Sequence, residues 1–369
     1  MSISRTIQSS LAIALFLALP NILTLSASGA PRPIKIQLAV THKAPTRAAA
    51  TPTTVRRSHL ATHSRCSVRS RSSLSYNYPV KPFKQQHRIR GYFGDPRTPR
   101  GRKVRYVPGA AGIFNFHNGV DIIAAAHAPV YPVVSGVVAR VEADNVIVNT
   151  SGGRWFQYYH LTPAVQSGQY VTAYKTVLGR VFASHLHVHL TEAIGSSAIN
   201  PLAPGHLGPY RDETAPVVDG VRFTDGRGRR ADPLHLKGIV RITTAAHDIP
   251  ALPVEGDWPG LGVTPATIAW ELRTSAGRVV VPRRTITDFR RTEPRNEGFW
   301  KTYAVGTRQN KYGEKVLRKV RLVGLFSFNL TPSGLDTRTA PNGTYTLIVR
   351  VADTCGNNGS FSAQITIKN

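Results

Sequence analysis

Cysteine is nearly absent from this sequence: Cys66 and Cys355 are the only two among 369 residues. They lie in different regions and lack the close spacing of cysteine-based zinc sites, which excludes a metal centre of that kind. A disulfide between them would fit an oxidising compartment. Two unrelated free thiols fit the sequence equally well.

Acidic residues are also scarce, since 20 Asp and Glu stand against 47 Lys and Arg, and none precedes Asp95. The resulting formal charge of +27 attracts polyanions through its long-range field. On a cell envelope these are anionic glycopolymers or lipid head groups. No nucleic-acid-binding motif is present, so we predict no nucleic-acid partner.

Helix-period apolar patterns are scarce as well, whereas glycine (31) and proline (26) are frequent. This combination favours short β-strands separated by turns. We therefore predict an all-β protein.

The N-terminus has the features of an export signal. Arg5 provides a positive charge, an apolar run covers Leu11–Leu25, and small residues around Ala27 offer cleavage sites. Pro20 interrupts the run, which is short for a membrane span. We predict a signal peptide over residues 1–30, no transmembrane span after its removal, and a secreted, periplasmic or envelope location. An uncleaved N-terminal anchor is the alternative.

The composition then changes twice along the chain. Residues 31–75 are rich in Ala, Thr, Ser, Pro and Arg, which predicts a disordered basic linker because little apolar surface is available to bury. Residues 76–206 contain short apolar strands and form the first predicted domain. Within it, Val130–Val141 is interpreted as a strand pair, and Asn145–Asn149 with Trp155–His160 as a hairpin.

The remainder, 207–369, alternates apolar and polar residues and predicts an immunoglobulin-like β-sandwich domain. The alternating segments are Lys237–Thr243, Thr267–Thr274, Val316–Leu330, Thr344–Val351 and the tail Cys355–Ile367.

Histidines with patterned surroundings carry the chemistry of the first domain. His117 and Asp121 stand four residues apart around an Asn-Gly turn, so Asp121 is expected to begin the strand Val120–Ile123. Downstream, His185, His187 and His189 alternate with apolar residues. In a strand they would project from one face, while the apolar residues between them enter the core.

A catalytic zinc site needs three protein ligands of His or carboxylate type and an open fourth position. His117, Asp121 and one of the strand histidines meet that requirement. A His-Glu-x-x-His helix is missing, so the general base must be another residue. His160 and a strand histidine that is not a ligand are the candidates, because a neutral imidazole accepts protons near pH 7.

These motifs resemble the lysostaphin-like, LytM-type zinc endopeptidases of the duplicated hybrid motif fold, over residues of about 87–202. The resemblance rests on the Gly-Tyr-Phe-Gly-Asp-Pro-Arg stretch at 91–97, Phe-His-Asn-Gly-Val-Asp-Ile at 116–122, Pro-Val-Tyr-Pro-Val at 129–133, Tyr-Tyr-His-Leu at 158–161, and the closing His-Leu-His at 185–187.

The resemblance implies a bound Zn²⁺ with His117, Asp121 and His187 as ligands, and His160 and His185 as the catalytic pair, with base and oxyanion roles left open. Two features depart from the family pattern. His189 stands where the family usually has Glu, and the loop 179–184 is shorter and more apolar than the usual substrate-lining loop.

The function implied by the resemblance is hydrolysis of peptide bonds in bacterial cell-wall peptidoglycan, with the stem or bridge peptides as the substrate. The alternative is a non-enzymatic cell-wall-binding or regulatory module of the same fold. An adhesion or carbohydrate-binding protein that acts through its C-terminal sandwich ranks last, because the sequence of that region shows neither a clustered aromatic platform nor an acidic metal-binding loop.

Overall fold

The computed structural model describes residues 75–97, 114–254, 262–307 and 326–369, which all lie in one compact unit, Pro52–Asn369. The predicted signal peptide, residues 31–74 of the predicted linker, and Cys66 lie outside the described residues. Strands dominate the described ranges, and their one α-helix, α1, spans only Phe299–Thr302, so the all-β prediction is confirmed. None of the helices in these ranges has the length and apolar character needed to cross a membrane.

The described residues up to Ile199 form thirteen short strands. They are β1 (Ile89–Gly91), β2 (Pro96–Arg97), β3 (Asn115–Phe116), β4 (Val120–Ile123), β5 (Pro129–Val130), β6 (Gly136–Val141), β7 (Asn145–Asn149), β8 (Arg154–Tyr159), β9 (Leu161–Pro163), β10 (Tyr170–Val171), β11 (Gly179–Val181), β12 (His187–Ile194) and β13 (Ser197–Ile199). The main sheet has the order β1-β4-β12-β8-β7-β6-β10, with β13 beside β12. A smaller sheet has the order β5-β11-β9, and β2 pairs with β3.

Two sequence predictions about local pairing have different outcomes. The hairpin prediction is confirmed, because β7 and β8 pair antiparallel across the Ser151–Gly153 turn. The predicted strand pair within Val130–Val141 is wrong: β5 pairs with β11, whereas β6 pairs with β7 and β10. The apolar run therefore crosses from the small sheet to the main sheet.

The later residues form eight strands in the described ranges. They are β14 (Val217–Asp225), β15 (Ile239–His247), β16 (Thr267–Thr274), β17 (Val279–Asp288), β18 (Ser327–Asn329), β19 (Leu335–Asp336), β20 (Gly343–Ala352) and β21 (Asn358–Ile367). One sheet has the order β14-β15-β18, with β19 beside β15, and the other has the order β17-β16-β20-β21. Of the segment predicted at Val316–Leu330, only residues from Phe326 onward are described.

Alternation places one face of β20 in the core between these two sheets. Tyr345, Leu347, Val349 and Val351 are each at most 4% exposed, as the sequence pattern predicts. Cys355, in the turn after β20, is buried and disulfide-bonded. The immunoglobulin-like character of this region stays a prediction.

The described residues form two hydrophobic cores, and each core takes residues from the other half of the chain. Phe93, Phe114 and Phe116 pack in the core of the later sheets, and Val263 packs in the core of the earlier ones. The predicted domain division at 206/207 stays a prediction. The residues just before His117 are thus held by the later half of the chain.

We expect the substitution Phe116→Ala to lower the free energy of unfolding by about 3–5 kcal/mol, since it empties a site among packed aromatic rings. The Phe116 ring is 2% exposed and lies 5.3 Å from the Phe299 ring and 5.5 Å from the Phe289 ring, between centroids. Urea unfolding measures the change. Val279→Ala, at a side chain that is 45% exposed, is the control and should change stability by less than about 0.5 kcal/mol. Equal losses in the two variants would contradict this packing.

Candidate metal centre

Strand register brings the candidate residues together. β12 pairs antiparallel with β4, and His189 lies directly opposite Asp121. On its other side β12 pairs with β8, where Tyr159 lies opposite His189. Residues that lie opposite one another on neighbouring strands share a face of the sheet. The main sheet therefore presents Asp121, His187 and His189 on one face.

His117 reaches the same face from the loop before β4. Its backbone is held on both sides, because Gly94 N donates to its carbonyl at 2.8 Å and its own N–H donates to the Asp95 carbonyl at 2.9 Å. Its side chain is 3% exposed. The imidazole therefore has a fixed position beside Asp121.

Three potential ligand atoms converge at this point. His117 Nε2 lies 2.7 Å from His189 Nδ1, and Asp121 Oδ1 lies 3.0 Å from His189 Nδ1 and 3.2 Å from His117 Nε2. Tetrahedral ligands bound to zinc at about 2.0–2.1 Å are about 3.3 Å apart. The triangle is therefore close in size to one face of a zinc coordination tetrahedron.

The outer hydrogen bonds of the two imidazoles favour a cation between them. His117 Nδ1 lies 2.9 Å from the Tyr92 carbonyl, which only accepts hydrogen bonds, so Nδ1 carries the proton and Nε2 presents a lone pair. His189 Nε2 lies 2.9 Å from Thr191 Oγ1, which can accept a hydrogen bond from the Nε2–H group and so leave the lone pair of Nδ1 to ligate. With Asp121, three acceptors then face one point, and this donor set fits Zn²⁺.

Charge keeps Asp121 ionised despite its burial. Arg97 donates to Asp121 Oδ2 at 2.9 Å, leaving Oδ1 for the histidines. Burial raises the pKa of Asp121, but its interactions with His117 and with the Arg97 guanidinium outweigh burial, so this pKa stays well below its ordinary value. Burial, with the Arg97 charge, lowers the pKa of His117 to about 3. At neutral pH the site therefore combines a carboxylate with a neutral His117, as metal ligation requires.

The third member of this group differs from the sequence prediction, which assigned that place to His187. His187 Nε2 lies 3.7 Å from Asp121 Oδ1, and it also lies 3.1 Å from Arg90 Nη2, which donates to it. Its Nδ1 lies 2.7 Å from the His185 carbonyl and donates there. Both nitrogens of His187 thus have partners outside the group, whereas His189 Nδ1 lies inside it.

The start of β12 explains the difference. The sequence pattern predicts one strand carrying all three histidines with Leu186 in the core. In the structure β12 begins at His187, Leu186 has a left-handed backbone (φ 54°), and its side chain is 52% exposed. His185 therefore belongs to the preceding turn, and the two histidines on the strand are His187 and His189.

The predicted catalytic pair, His160 and His185, lies beside the group. Their rings stack with centroids 4.2 Å apart and an interplanar angle of 14°. His160 also lies 4.6 Å from the His187 ring in an edge-to-face arrangement. Burial lowers the pKa of His160 to about 4, so this imidazole is neutral at pH 7. His160 thus lies between His185 and His187.

Four residues of the site were not predicted from the sequence: Arg90, Tyr92, Arg97 and Thr191. Tyr92 and Arg97 lie in the 91–97 stretch that resembles the endopeptidase family, but their spacing indicates no partner. Tyr92 contributes only its backbone carbonyl, a group that every residue has, so the residue type does not predict this contact. Thr191 follows His189 by two residues in a strand, so its hydroxyl lies on the same face as the His189 imidazole. The spacing alone is weak evidence for a hydrogen bond between them, and only the strand register establishes it.

Residues 115–201 match the model of peptidase family M23, which confirms over this segment the resemblance to lysostaphin-like, LytM-type enzymes. A comparison with curated proteins finds no match.

Among solved structures, Csd3 from Helicobacter pylori is 20% identical with a TM-score of 0.27, over 38% of this chain and 36% of that one. A zinc-containing peptidase from Vibrio cholerae is 22% identical with a TM-score of 0.26, over 34% and 39%. LytU is 18% identical with a TM-score of 0.24, over 32% and 84%. This chain thus spans little more than a third of the first two chains.

We expect Gly119→Ala to disturb the candidate metal centre, because an added Cβ would clash with the Leu190 carbonyl oxygen and lie 2.8 Å from His189 Nε2. Such crowding destabilises by about 1–3 kcal/mol. Displacing the imidazole and its outer hydrogen bond should weaken metal binding by about 10–100-fold. Competition with a chromophoric chelator measures this affinity.

Gly226→Ala is the matched control, since its new Cβ would meet its nearest atoms at 3.8 Å. It should bind metal like the unchanged chain. Undiminished affinity in Gly119→Ala would show that His189 does not take part in binding.

Proposed function

We propose that this chain, whose residues 115–201 match the model of peptidase family M23, is an exported zinc metalloendopeptidase that hydrolyses peptide bonds in bacterial peptidoglycan. The observation that carries the proposal is the convergence of His117 Nε2, Asp121 Oδ1 and His189 Nδ1, which lie between 2.7 and 3.2 Å from one another. Such a buried group of two imidazoles and one carboxylate has the ligand types of a catalytic zinc site.

In this proposal His117, Asp121 and His189 hold the zinc ion. When bound, zinc polarises the scissile carbonyl and lowers the pKa of the attacking water. The Tyr92 carbonyl and the Thr191 hydroxyl hold the outer nitrogens of His117 and His189, and so orient the two rings.

His187 and His160 transfer the proton and stabilise the developing charge. The His185 carbonyl accepts the Nδ1 proton of His187, so His187 Nε2 presents its lone pair toward Asp121 and the metal group. Burial lowers the pKa of His187 well below its ordinary value, which keeps it neutral and able to accept a proton. His160 lies against the His187 ring and is the partner that donates to the substrate oxyanion.

Arg90 and His185 position this pair. Arg90 donates to His187 Nε2 at 3.1 Å and must give up that bond when the imidazole takes a proton. His185 stacks on the face of His160, and its Nδ1 lies 3.0 Å from Ser184 Oγ. The catalytic role that the family resemblance implies for His185 is therefore assigned in this proposal to His187, two residues further along the chain.

The peptidoglycan substrate and the export rest on the family match and on charge. A net charge of +27 favours an anionic envelope polymer as the surroundings of the enzyme. The non-enzymatic alternative is the weaker candidate, because the complete ligand group and two neutral histidines beside it have no use in a binding module.

The direct test measures zinc content and hydrolysis of purified peptidoglycan together, in the full chain and in two single variants. His189→Ala should lose both zinc and activity, because it removes a ligand. His187→Ala should keep one zinc per chain and lose about 10²–10⁴-fold in kcat, because it removes the proton acceptor.

The conservative controls are His189→Gln and His185→Ala. The first should bind zinc poorly, and the second should keep zinc and lose less activity than His187→Ala. Loss of zinc from His187→Ala with full occupancy in His189→Ala would reverse the assignment of the two residues. Zinc binding without cleavage of any peptidoglycan by the unchanged chain would overturn the proposed activity.

A further inference from the structure

The position of His117 depends on the turn formed by residues 92–95. Asp95 N donates to the Tyr92 carbonyl at 3.1 Å and closes this turn. Gly94 N donates to the His117 carbonyl, and His117 N donates to the Asp95 carbonyl. The His117 Nδ1 group donates to the Tyr92 carbonyl. A shift of the turn would therefore move both the backbone and the imidazole of His117.

The Tyr303 side chain, from the later half of the chain, holds this turn through its hydroxyl. Tyr303 directly follows α1 and is fully buried. Its hydroxyl donates to the Gly94 carbonyl at 2.7 Å, across 209 positions of sequence. A carbonyl only accepts hydrogen bonds, so this bond uses the one hydroxyl proton of Tyr303. Gly94 is thus bound to Tyr303 through its carbonyl and to His117 through its N–H.

Thr264 adds a second connection to the same turn. Its N–H donates to Asp95 Oδ1 at 2.8 Å, and its Oγ1 lies 3.1 Å from the Tyr303 hydroxyl. Because the Tyr303 proton is directed at Gly94, Thr264 Oγ1 is the donor in this contact. Tyr303 and Thr264 therefore hold two consecutive residues of the turn in one buried set of hydrogen bonds, whose members strengthen one another.

The hydroxyl of Tyr303 can be separated from the packing of its ring. The ring lies 4.9–5.8 Å, between centroids, from three phenylalanine rings, those of Phe116, Phe299 and Phe328. A phenylalanine at position 303 would fill the same space and keep these contacts. Packing therefore accounts for the ring, whereas the oxygen is accounted for by its bonds to Gly94 and Thr264.

We propose that Tyr303 is a positioning residue of the candidate metal centre, whose hydroxyl fixes the 92–95 turn and, through it, His117 Nε2. The inference rests on the proposed function, in which His117 is a zinc ligand. Without the hydroxyl, the buried Gly94 carbonyl loses this donor, and the turn must move to satisfy it in another way. The result is a shift of the His117 imidazole relative to Asp121 and His189.

The expected size of the effect follows from the place of Tyr303 in this arrangement. Removing a direct partner of a ligating histidine lowers metal affinity by about 10–100-fold. Tyr303 acts one step further away, through Gly94, so we expect a loss of about 10-fold, at the lower end of this range.

Zinc affinity of the full chain, measured by competition with a chromophoric chelator, tests the proposal in Tyr303→Phe. The matched control is Tyr345→Phe, which removes another buried hydroxyl that donates to a backbone carbonyl, that of Pro341. Both variants should lose about 2–4 °C of Tm. Tyr303→Phe should also bind zinc about 10-fold more weakly and alter the visible absorption of the Co²⁺-loaded chain. Tyr345→Phe should leave both metal readouts unchanged.

Hydrogen exchange of the His117 amide in the metal-free chain gives a readout that needs no bound ion. This amide should exchange about 10-fold faster in Tyr303→Phe, while the amides of β7 and β8 keep their rates in both variants. Neither readout uses peptidoglycan, so a failure of the proposed hydrolysis is recognised separately. Unchanged zinc affinity in Tyr303→Phe, equal losses of affinity in the two variants, or an unchanged His117 amide would overturn the proposal.

Discussion

The chemistry proposed for this protein depends on the pairing register of β12 with β4, which sets His189 opposite Asp121. A slip of β12 by one residue would turn His189 to the opposite face, and a slip by two residues would bring His187 opposite Asp121. The register is held from both sides, because β8 pairs along six residues of β12, from His189 to Ile194. Val188 and Leu190, fully buried between the histidines, oppose a slip of one residue because they would have to leave the core.

The later half of the chain contributes to the site as well as to its own core. The Phe116 ring, next to His117, packs against Phe289 and Phe299, and Thr264 N donates to Asp95, whose carbonyl holds the His117 backbone. The loop that carries the first histidine is therefore fixed by residues more than a hundred positions away. This dependence gives the later half of the chain a structural role in the candidate metal centre.

Much of this arrangement could be predicted from the sequence because it depends on short-range patterns. The Asn-Gly turn before Asp121, the hairpin at β7 and β8, and the alternation along β20 follow from local chemistry. Local chemistry does not decide whether His187 or His189 is the third ligand, since both occupy alternate positions of one strand and the spacing His-x-His occurs twice. This choice depends on where β12 begins, and the left-handed backbone of Leu186 that marks this point has no sequence signal of its own.

The most direct test of this account is a ¹⁵N NMR measurement of the histidine tautomers in the zinc-loaded chain. We predict that zinc binds His117 through Nε2 and His189 through Nδ1, with a proton on His117 Nδ1 and on His189 Nε2, and that His187 keeps its proton on Nδ1 with no metal bound. Zinc on a nitrogen of His187, with His189 free of metal, would contradict the account.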